Sequence, residues 1–325
     1  MDTLVENILI ADGRIKAVEG GARETPLDEA GVFSDRTGAR FLIKGEHLQR
    51  TGSFKMRGAM NKVLSLSAGE RAQGIITASS GNHGMATTQA ARVGGVEATV
   101  YLPEAVSPLK HDAITRLGAR TVLIPGNGVE AERAGRAAAL AGGMPFVSPY
   151  ADWDIIAGQG TIGVEVERQC PDLAAVYVCV GGGGLISGIG SYLKARMPGT
   201  EIVGCWPENS PAMHGCLERG EIWDVPERET LSDGSAGGIE EGAITFPLCQ
   251  QVIDRHVLVS EAEIAAAMRE TAANERFIIE GAAGVAVAAA LRTGRDYAGR
   301  PIAVVACGRN VAMETFASVM NGTPG

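Results

Sequence analysis

The sequence has little that would place the protein at a membrane, outside the cell or on a nucleic acid. Its six cysteines include no Cys-x-x-Cys pair, so a disulfide framework is not indicated. No apolar stretch is long and charge-free enough to span a bilayer, and the N-terminus lacks the basic-then-apolar pattern of a signal peptide. The net charge of -9 has the wrong sign for a nucleic-acid surface, which needs a basic face. The cytoplasm is therefore the expected location.

The cysteines and histidines also lack a spacing typical of metal sites. Cys179, Cys205 and Cys307 lie in or at the ends of apolar, strand-like runs, which favours buried and reduced thiols. The five histidines are scattered along the chain at positions His47, His83, His111, His214 and His256. None of their separations is typical of zinc ligands, so the sequence predicts no metal site.

Length and patterning indicate an α/β protein. A chain of 325 residues, 45% hydrophobic and 21% charged, is too long for one small core. Short β-branched runs alternate with longer helical stretches, the pattern of a mostly parallel sheet covered by helices. The predicted strands are Gly74–Ala78, Ala98–Leu102, Thr121–Ile124, Ala175–Val180, Glu201–Cys205 and Ile302–Ala306.

The grouping of the strands suggests two domains. Helices predicted over His83–Val93 and Leu109–Leu117 separate the first three strands. We expect this repeat to form a small mobile domain over residues 70–144. Residues 1–69 and 145–325 would form a larger, discontinuous domain.

Four consecutive glycines, Gly181 to Gly184, lie between a predicted strand and a helix predicted over Leu185–Met197. The first N–H groups of a helix have no partner inside it, and glycine lets the backbone approach a phosphate closely. A tight connecting turn needs only one or two glycines. No Gly-Lys-Ser/Thr follows, and the next strand ends in Cys205-Trp206 without an acidic residue, which disfavours a Walker loop and a dinucleotide site. The run predicts a phosphate-binding loop.

Lys55 follows Ser53-Phe54 at the start of a predicted helix. Most lysines are solvated surface residues. Here Arg57 and Lys62 are nearby cations, and like charges with partial desolvation would lower the pKa of the amine, as a nucleophilic amine requires. Whether Phe54 packs in the core or lines a pocket stays open. A nucleophilic amine and a phosphate loop together indicate a phosphorylated aldehyde cofactor.

The segment Ser79-Ser80-Gly81-Asn82-His83 follows a predicted parallel strand, and ligands bind at this end of the strands in open α/β sheets. Two hydroxyls, an amide and the N–H groups of the next helix suit a carboxylate ligand. An ordinary helix N-cap is the alternative. By itself, His83 is more typical of a packed or surface histidine than of a catalytic one.

Two later segments are less specific. Glu280 to Gly284 begins a helix of very small residues, for which close helix packing is nearly a sufficient explanation. Cys307 to Asn310 follows the last predicted strand, where a ligand contact and a buried thiol explain the cysteine equally well.

Five segments of this chain occur together in a known family. They are TGSFKMRGA, ASSGNHGMA, PYADWDIIAGQGTIGVE, GGGGLISGIG and EGAAGVAVAAA. In combination they resemble the pyridoxal-phosphate enzymes of the threonine dehydratase and serine racemase group, which have the tryptophan synthase β-type fold (fold type II). The resemblance covers roughly residues 24 to 315. It implies two three-layer α/β/α lobes with mostly parallel open sheets, and pyridoxal 5′-phosphate in the cleft between them, held mainly by the larger domain.

The resemblance also implies roles for the cofactor-binding residues. Lys55 would hold the cofactor's aldehyde as a Schiff base, Asn82 would bond its phenolic oxygen, and Phe54 would flank its ring. Cys307 would face the pyridine nitrogen. The phosphate would be cradled by Gly181, Gly182, Gly183, Gly184 and Leu185.

Substrate-binding roles follow in the same way. The substrate carboxylate would be held by Ser79, Ser80, Gly81, Asn82 and His83. Ser80 aligns with the serine that acts as an acid or base on the opposite cofactor face in racemases, so Lys55 and Ser80 are the implied catalytic pair.

Three departures from the family pattern carry information. Trp206 stands where the family often has a glutamate that helps to hold a divalent cation, and Ala212 stands where an aspartate is usual, so we infer that this metal site is lost. Cys307 replaces a serine, and because a protonated thiol is uncharged, the neutral pyridine of the group should persist. The segment from Ser232 to Gly238 is unusually rich in glycine, which could reshape the side-chain pocket.

The implied reaction is β-elimination from a 3-hydroxy amino acid, such as threonine, serine or phenylserine, to a 2-oxo acid and ammonia. The resemblance further implies a homodimer. The alternatives are a serine or aspartate racemase and a dehydratase of hydroxyectoine catabolism with the same fold. A non-catalytic binding protein is a third possibility, but Lys55, Ser80 and Asn82 together argue against it.

Overall fold

The structure is a computed structural model that describes residues 2–322. Its helices are α1 (Asp2–Lys16), α2 (Gly31–Thr37), α3 (Lys55–Ser65), α4 (Ala68–Gln73), α5 (Asn82–Gly94), α6 (Pro108–Arg116), α7 (Gly128–Gly142), α8 (Trp153–Gln169), α9 (Gly184–Arg196), α10 (Ala212–Arg219), α11 (Thr245–Val252), α12 (Glu261–Glu275), α13 (Gly281–Thr293) and α14 (Met313–Met320). Its strands are β1 (Leu27–Glu29), β2 (Arg40–Lys44), β3 (Ile75–Ala78), β4 (Ala98–Pro103), β5 (Arg120–Ile124), β6 (Ala175–Cys179), β7 (Glu201–Pro207), β8 (Arg255–Val259) and β9 (Pro301–Val305).

The strands form two sheets. The larger has the order β1-β2-β9-β6-β7-β8, and the smaller has the order β3-β4-β5. Between residues 2 and 322, every strand pair is parallel except β1 with β2. The predicted α/β class with mostly parallel sheets is confirmed.

All six predicted strands are present, with ends that differ by one or two residues. Three strands of the larger sheet were missed, namely β1, β2 and β8. β1 has only three residues, and the apolar runs of β2 and β8 are only three residues long and follow polar residues, so none of the three stands out as a strand in the sequence. The helices predicted over His83–Val93, Leu109–Leu117 and Leu185–Met197 correspond to α5, α6 and α9.

Each sheet has its own hydrophobic core. In the larger lobe, β6 is buried along its whole length, and α8 packs closely against α9. In the smaller lobe, Met56, Met60 and Val63 of α3 belong to the same core as Ile75 and Val100 of the sheet. Helix α3 thus packs with the small sheet, although it precedes residue 70. The domain boundaries at residues 69/70 and 144/145 stay a prediction.

The cysteines are free and buried, as the sequence predicted; they are Cys170, Cys179, Cys205, Cys216, Cys249 and Cys307. Over residues 2–322, no helix combines the length and the apolar character needed to cross a bilayer.

Candidate active site

A cleft of about 1180 Å³ lies where strands of both sheets end. Its walls include the segments that follow β3, β6 and β9, at the carboxyl ends of these parallel strands. This is the edge at which open α/β sheets bind ligands. The structure brings all the predicted site residues to this one cleft; they are Phe54, Lys55, Ser79, Ser80, Gly81, Asn82, His83, Gly181, Gly182, Gly183, Gly184, Leu185 and Cys307.

Lys55 is fixed at the cleft by the end of β9. Ser53 and Gly308 form an antiparallel bridge, and the Phe54 N–H donates to the Cys307 carbonyl oxygen at 3.0 Å. Lys55 is the first residue of α3, and its Nζ donates to the Pro149 carbonyl oxygen at 2.6 Å. The backbone before Lys55 is therefore hydrogen-bonded to the larger lobe, and the backbone from Lys55 onward is held in helix α3.

The Lys55 amine is poised to act as a nucleophile. Loss of hydration on burial lowers its pKa to about 8, while Cys307 and Glu280 act in the opposite direction. A substantial fraction of the amine is therefore neutral at mildly alkaline pH. The predicted lowering of the pKa is confirmed in direction.

The predicted contribution of neighbouring cations was wrong. Arg57 turns away from the cleft into a buried ion-pair network with Glu46 and Glu165, at 2.7 Å from each. Lys62 pairs with Asp152 at 2.7 Å. Because carboxylates compensate both cations, neither acts on the Lys55 amine.

The glycine loop is shaped by close packing within the protein. A Cβ on Gly182 would lie 2.4 Å from the ring of Tyr150, and one on Gly181 would lie 2.8 Å from the Ser235 carbonyl oxygen. Gly183 has a φ of +85°, in the left-handed region that favours glycine. Tyr150, which the sequence analysis did not single out, thus packs closely against the loop. The Tyr150 hydroxyl accepts the Glu240 N–H at 3.0 Å.

The same loop leaves a helix terminus available to a ligand. Gly183 is the N-cap of α9, and it has no side chain to bond the first N–H groups of the helix. Ser187, the fourth helical residue, donates its N–H to the Gly183 carbonyl oxygen at 2.9 Å. The amides before it have no acceptor inside the helix and lie on the cleft wall, an arrangement that suits a phosphate.

The start of α5 provides a second helix terminus. Its N-cap is Gly81, without a side-chain cap, so the Ser79 and Ser80 hydroxyls do not serve as the ordinary N-cap that was the alternative. Ser79 Oγ instead accepts the Gly81 N–H at 3.2 Å. Two hydroxyls and the uncapped amides of α5 therefore meet at the cleft.

His83 is a packed histidine, one of the two non-catalytic roles that the sequence favoured for it. Its Nε2 lies 2.9 Å from the Val147 carbonyl oxygen, and the side chain is buried. Loss of hydration, with a smaller contribution from the Lys55 charge, lowers its pKa to about 3. The imidazole is therefore neutral, and its backbone N–H is the group that suits a carboxylate.

Glu280 is a site residue whose carboxylate role sequence reasoning missed. Asn82 Nδ2 donates to both of its carboxylate oxygens at 3.0 Å, and the Asn310 N–H donates to Oε2 at 3.0 Å. Burial is the main cause that raises its pKa to about 7. The small residues after Glu280 do serve close packing, since a Cβ on Gly281 would lie 1.9 Å from the Leu231 carbonyl oxygen. The only signal for the carboxylate was its place directly before that helix.

Cys307 lies at the carboxyl end of β9, on the cleft wall. Burial raises the pKa of its thiol well above the usual value, with Glu280 acting in the same direction. The group is protonated and uncharged, as expected for a residue beside a neutral pyridine.

These residues fit pyridoxal 5′-phosphate. The cleft supplies an amine of lowered pKa, an uncapped helix terminus for a phosphate and an uncharged thiol, and all three line the same cavity. Over residues 18–308, the sequence matches the family described as pyridoxal-phosphate dependent enzymes, and the chain belongs to that family.

Three known proteins show which enzymes of this family the chain is similar to. It is 38% identical to the L-threonine ammonia-lyase of Thermotoga maritima, over 98% of this chain and 78% of that one. Among solved structures, it superimposes with a TM-score of 0.90 on threonine deaminase isoform 2 of Solanum lycopersicum, at 34% identity over 97% of this chain and 88% of the other. It superimposes with a TM-score of 0.86 on the serine racemase of Dictyostelium discoideum, at 30% identity over 95% and 98% of the two chains.

Proposed function

We propose that the protein eliminates water from a 3-hydroxy amino acid and releases a 2-oxo acid and ammonia. The observation that carries the proposal is the position of Lys55, whose amine of lowered pKa shares one cleft with the uncapped starts of α5 and α9. The similarity to an L-threonine ammonia-lyase and a threonine deaminase supports this reaction over others of the family.

Lys55 has two tasks in this proposal. It would hold the aldehyde of pyridoxal 5′-phosphate, a cofactor whose conjugated system would acidify the α-C–H of the bound amino acid. With substrate bound, the Lys55 amine would take the α-proton as a general base. Its pKa of about 8 suits this exchange, since the group can both accept and return a proton near neutral pH.

Atoms balance over the whole reaction. Loss of the α-proton and of the β-hydroxyl, which leaves as water after protonation, gives an enamine. Addition of one water to the corresponding imine then gives the 2-oxo acid and ammonia. The uncharged Cys307 thiol would offer no charge to a cofactor held beside it, which suits elimination.

The remaining residues orient the substrate. The amides at the start of α5, together with the Ser79 and Ser80 hydroxyls, would bind the substrate carboxylate. The glycine loop and α9 would hold the phosphate, which fixes the cofactor relative to Lys55. Asn82 would contact the cofactor's phenolic oxygen, and the hydrogen bond from the Asn82 side-chain amide to Glu280 would orient it.

Serine or aspartate racemisation is the second candidate. It is supported by the likeness to a serine racemase and by Ser80, which lines the cleft and would protonate the second face of the substrate. A dehydratase for a hydroxyectoine-derived acid stays a third possibility for the same chemistry. The cytoplasmic location and the homodimer remain predictions.

A substrate panel tests the proposal. We would measure 2-oxo acid and ammonia from the serine, threonine, phenylserine and 3-hydroxyaspartate isomers, with chiral analysis of the unreacted substrate. Equal amounts of 2-oxo acid and ammonia from one of them, with no D-enantiomer from its L-form, support elimination. Accumulation of the D-enantiomer without 2-oxo acid would establish the racemase instead.

A further inference from the structure

Outside the cleft, three side chains that are far apart in sequence converge at the edge of the larger sheet. His214 and Glu218 are four residues apart on α10, so they lie on one face of the helix. His256 is on the edge strand β8. One ligand atom from each of the three lies within 4.8 Å of the others.

The distances suit one metal ion. The two Nδ1 atoms of His214 and His256 face each other at 3.1 Å. Two nitrogen ligands of a tetrahedral zinc ion, each about 2.0–2.1 Å from the metal, are roughly 3.3 Å apart. Glu218 Oε1 is 4.0 Å from His256 Nδ1, and its side chain is 67% exposed, so it can rotate by the short distance that ligation needs.

The surroundings hold the imidazoles in this arrangement. The buried Trp206 indole packs against both rings, with centroid distances of 5.4 Å to His214 and 5.1 Å to His256. Burial lowers the pKa of both histidines, which favours the neutral imidazole, the form that binds a metal. Both rings are only half-buried, which leaves a path for an ion and room for a water ligand.

We propose that His214, Glu218 and His256 bind a divalent transition-metal ion, with zinc as the best fit. Two imidazoles and one carboxylate are a ligand set that zinc accepts, with water in the fourth position. The ion would join α10 to the edge strand β8 and so stabilise this side of the larger lobe. None of the three residues lines the cleft, so the role is structural. The sequence spacing gave no sign of the site because 42 residues separate the two histidines.

Titration of the untagged holoenzyme with zinc tests the site. In phosphate-free buffer, calorimetry with zinc chloride should give about one ion per chain, and saturating zinc should raise the melting temperature. His214→Ala and His256→Ala should each weaken zinc binding by more than about tenfold and remove the thermal shift. His111→Ala, which removes a histidine bonded to Thr121 in the smaller lobe, is the matched control and should bind zinc like the wild type.

Glu218→Gln keeps the test decisive if a histidine variant fails to fold, because Glu218 is exposed. It should retain the wild-type melting temperature without metal and bind zinc at least several-fold more weakly. Absence of stoichiometric binding to the wild type would overturn the proposal. So would zinc affinity that is unchanged in His214→Ala, His256→Ala and Glu218→Gln.

Discussion

The Asn82 side-chain amide donates to both carboxylate oxygens of Glu280, although 198 residues separate the two positions. The contact joins the start of α5, in the smaller lobe, to the residue before α13, in the larger lobe. Asn310 extends the network, because its Nδ2 donates to Asn82 Oδ1 at 2.6 Å and its N–H donates to Glu280. A carboxyl group with a pKa near 7 is therefore held between the two lobes, close enough to Lys55 to influence its charge.

The rate at which the apoenzyme takes up pyridoxal 5′-phosphate should follow the ionisation of Lys55. The neutral amine is the nucleophile, and its pKa is lowered to about 8, so the rate should rise with pH and level off above about 8 to 9. Glu280→Gln should shift the inflection to lower pH, because Glu280 raises the pKa of this amine. Stopped-flow absorbance between pH 6.5 and 10 measures both curves.

Glu132→Gln is the control for that shift. Glu132 also lines the cleft, but it pairs with Arg136 at 2.8 Å and does not act on Lys55. Its curve should coincide with that of the wild type. A wild-type rate that still rises steeply at pH 10 would contradict the lowered pKa.

Replacing Lys55 by alanine should remove covalent attachment of the cofactor. Lys55→Ala should lose the visible absorption band of the bound cofactor and reduce the elimination rate by at least about 10³-fold, since both attachment and the general base are lost. Lys62→Ala, seven residues later on the same helix and paired with Asp152, should keep the band and most of the activity. A band that persists in Lys55→Ala after dialysis would assign the attachment to another residue.

Adding one methyl group to the glycine loop should weaken phosphate binding. In Gly182→Ala, the new Cβ would lie 2.4 Å from the Tyr150 ring, so either the loop or the tyrosine must move. We expect a loss of about 1–3 kcal/mol in stability and weaker cofactor affinity in equilibrium dialysis. Gly69→Ala is the control, because nothing lies within 4 Å of the added Cβ on the exposed helix α4, and it should be neutral or slightly stabilising. Equal cofactor affinity in both variants would show that the loop tolerates the methyl group.

The buried network around Arg57 should be a main support for the segment that carries Lys55. Arg57→Met leaves Glu46 and Glu165 without their shared cation, and we expect a loss of about 3–5 kcal/mol in the free energy of unfolding. Arg36→Ala breaks an exposed pair with Glu270 and should cost at most about 1 kcal/mol. Urea unfolding of the two variants gives the comparison, and similar losses in both would mean that the buried network contributes no more than a surface pair.

The elements that sequence predicted best are those whose identity depends on local pattern. β6 and β9 are buried parallel strands, so their runs are apolar at every position. Strand β8 was missed because two of its first residues, Arg255 and His256, are polar at the exposed edge of the sheet. Edge strands need fewer apolar residues, and the pattern weakens accordingly.

The chemistry of the site divides in the same way. Lys55 and the glycine loop are readable along the chain, because each has its distinguishing neighbours within a few residues. Glu280 and Tyr150 are not, since their significance lies in contacts with Asn82 and Gly182 that only the fold creates. Arg57 was misjudged for the same reason, as its two carboxylate partners lie 11 and 108 residues away.

The burial of every cysteine has a practical consequence for handling the protein. Burial raises the pKa of Cys179 and Cys249 to about 12, so at pH 8 only about one thiol in 10⁴ is ionised at these positions. Alkylating agents and peroxide attack the ionised form, and these thiols should outlast long storage in air without added reductant. Cys249 is fully buried and does not line the cleft, so labelling of this thiol by a maleimide would report how often the chain opens and exposes its interior.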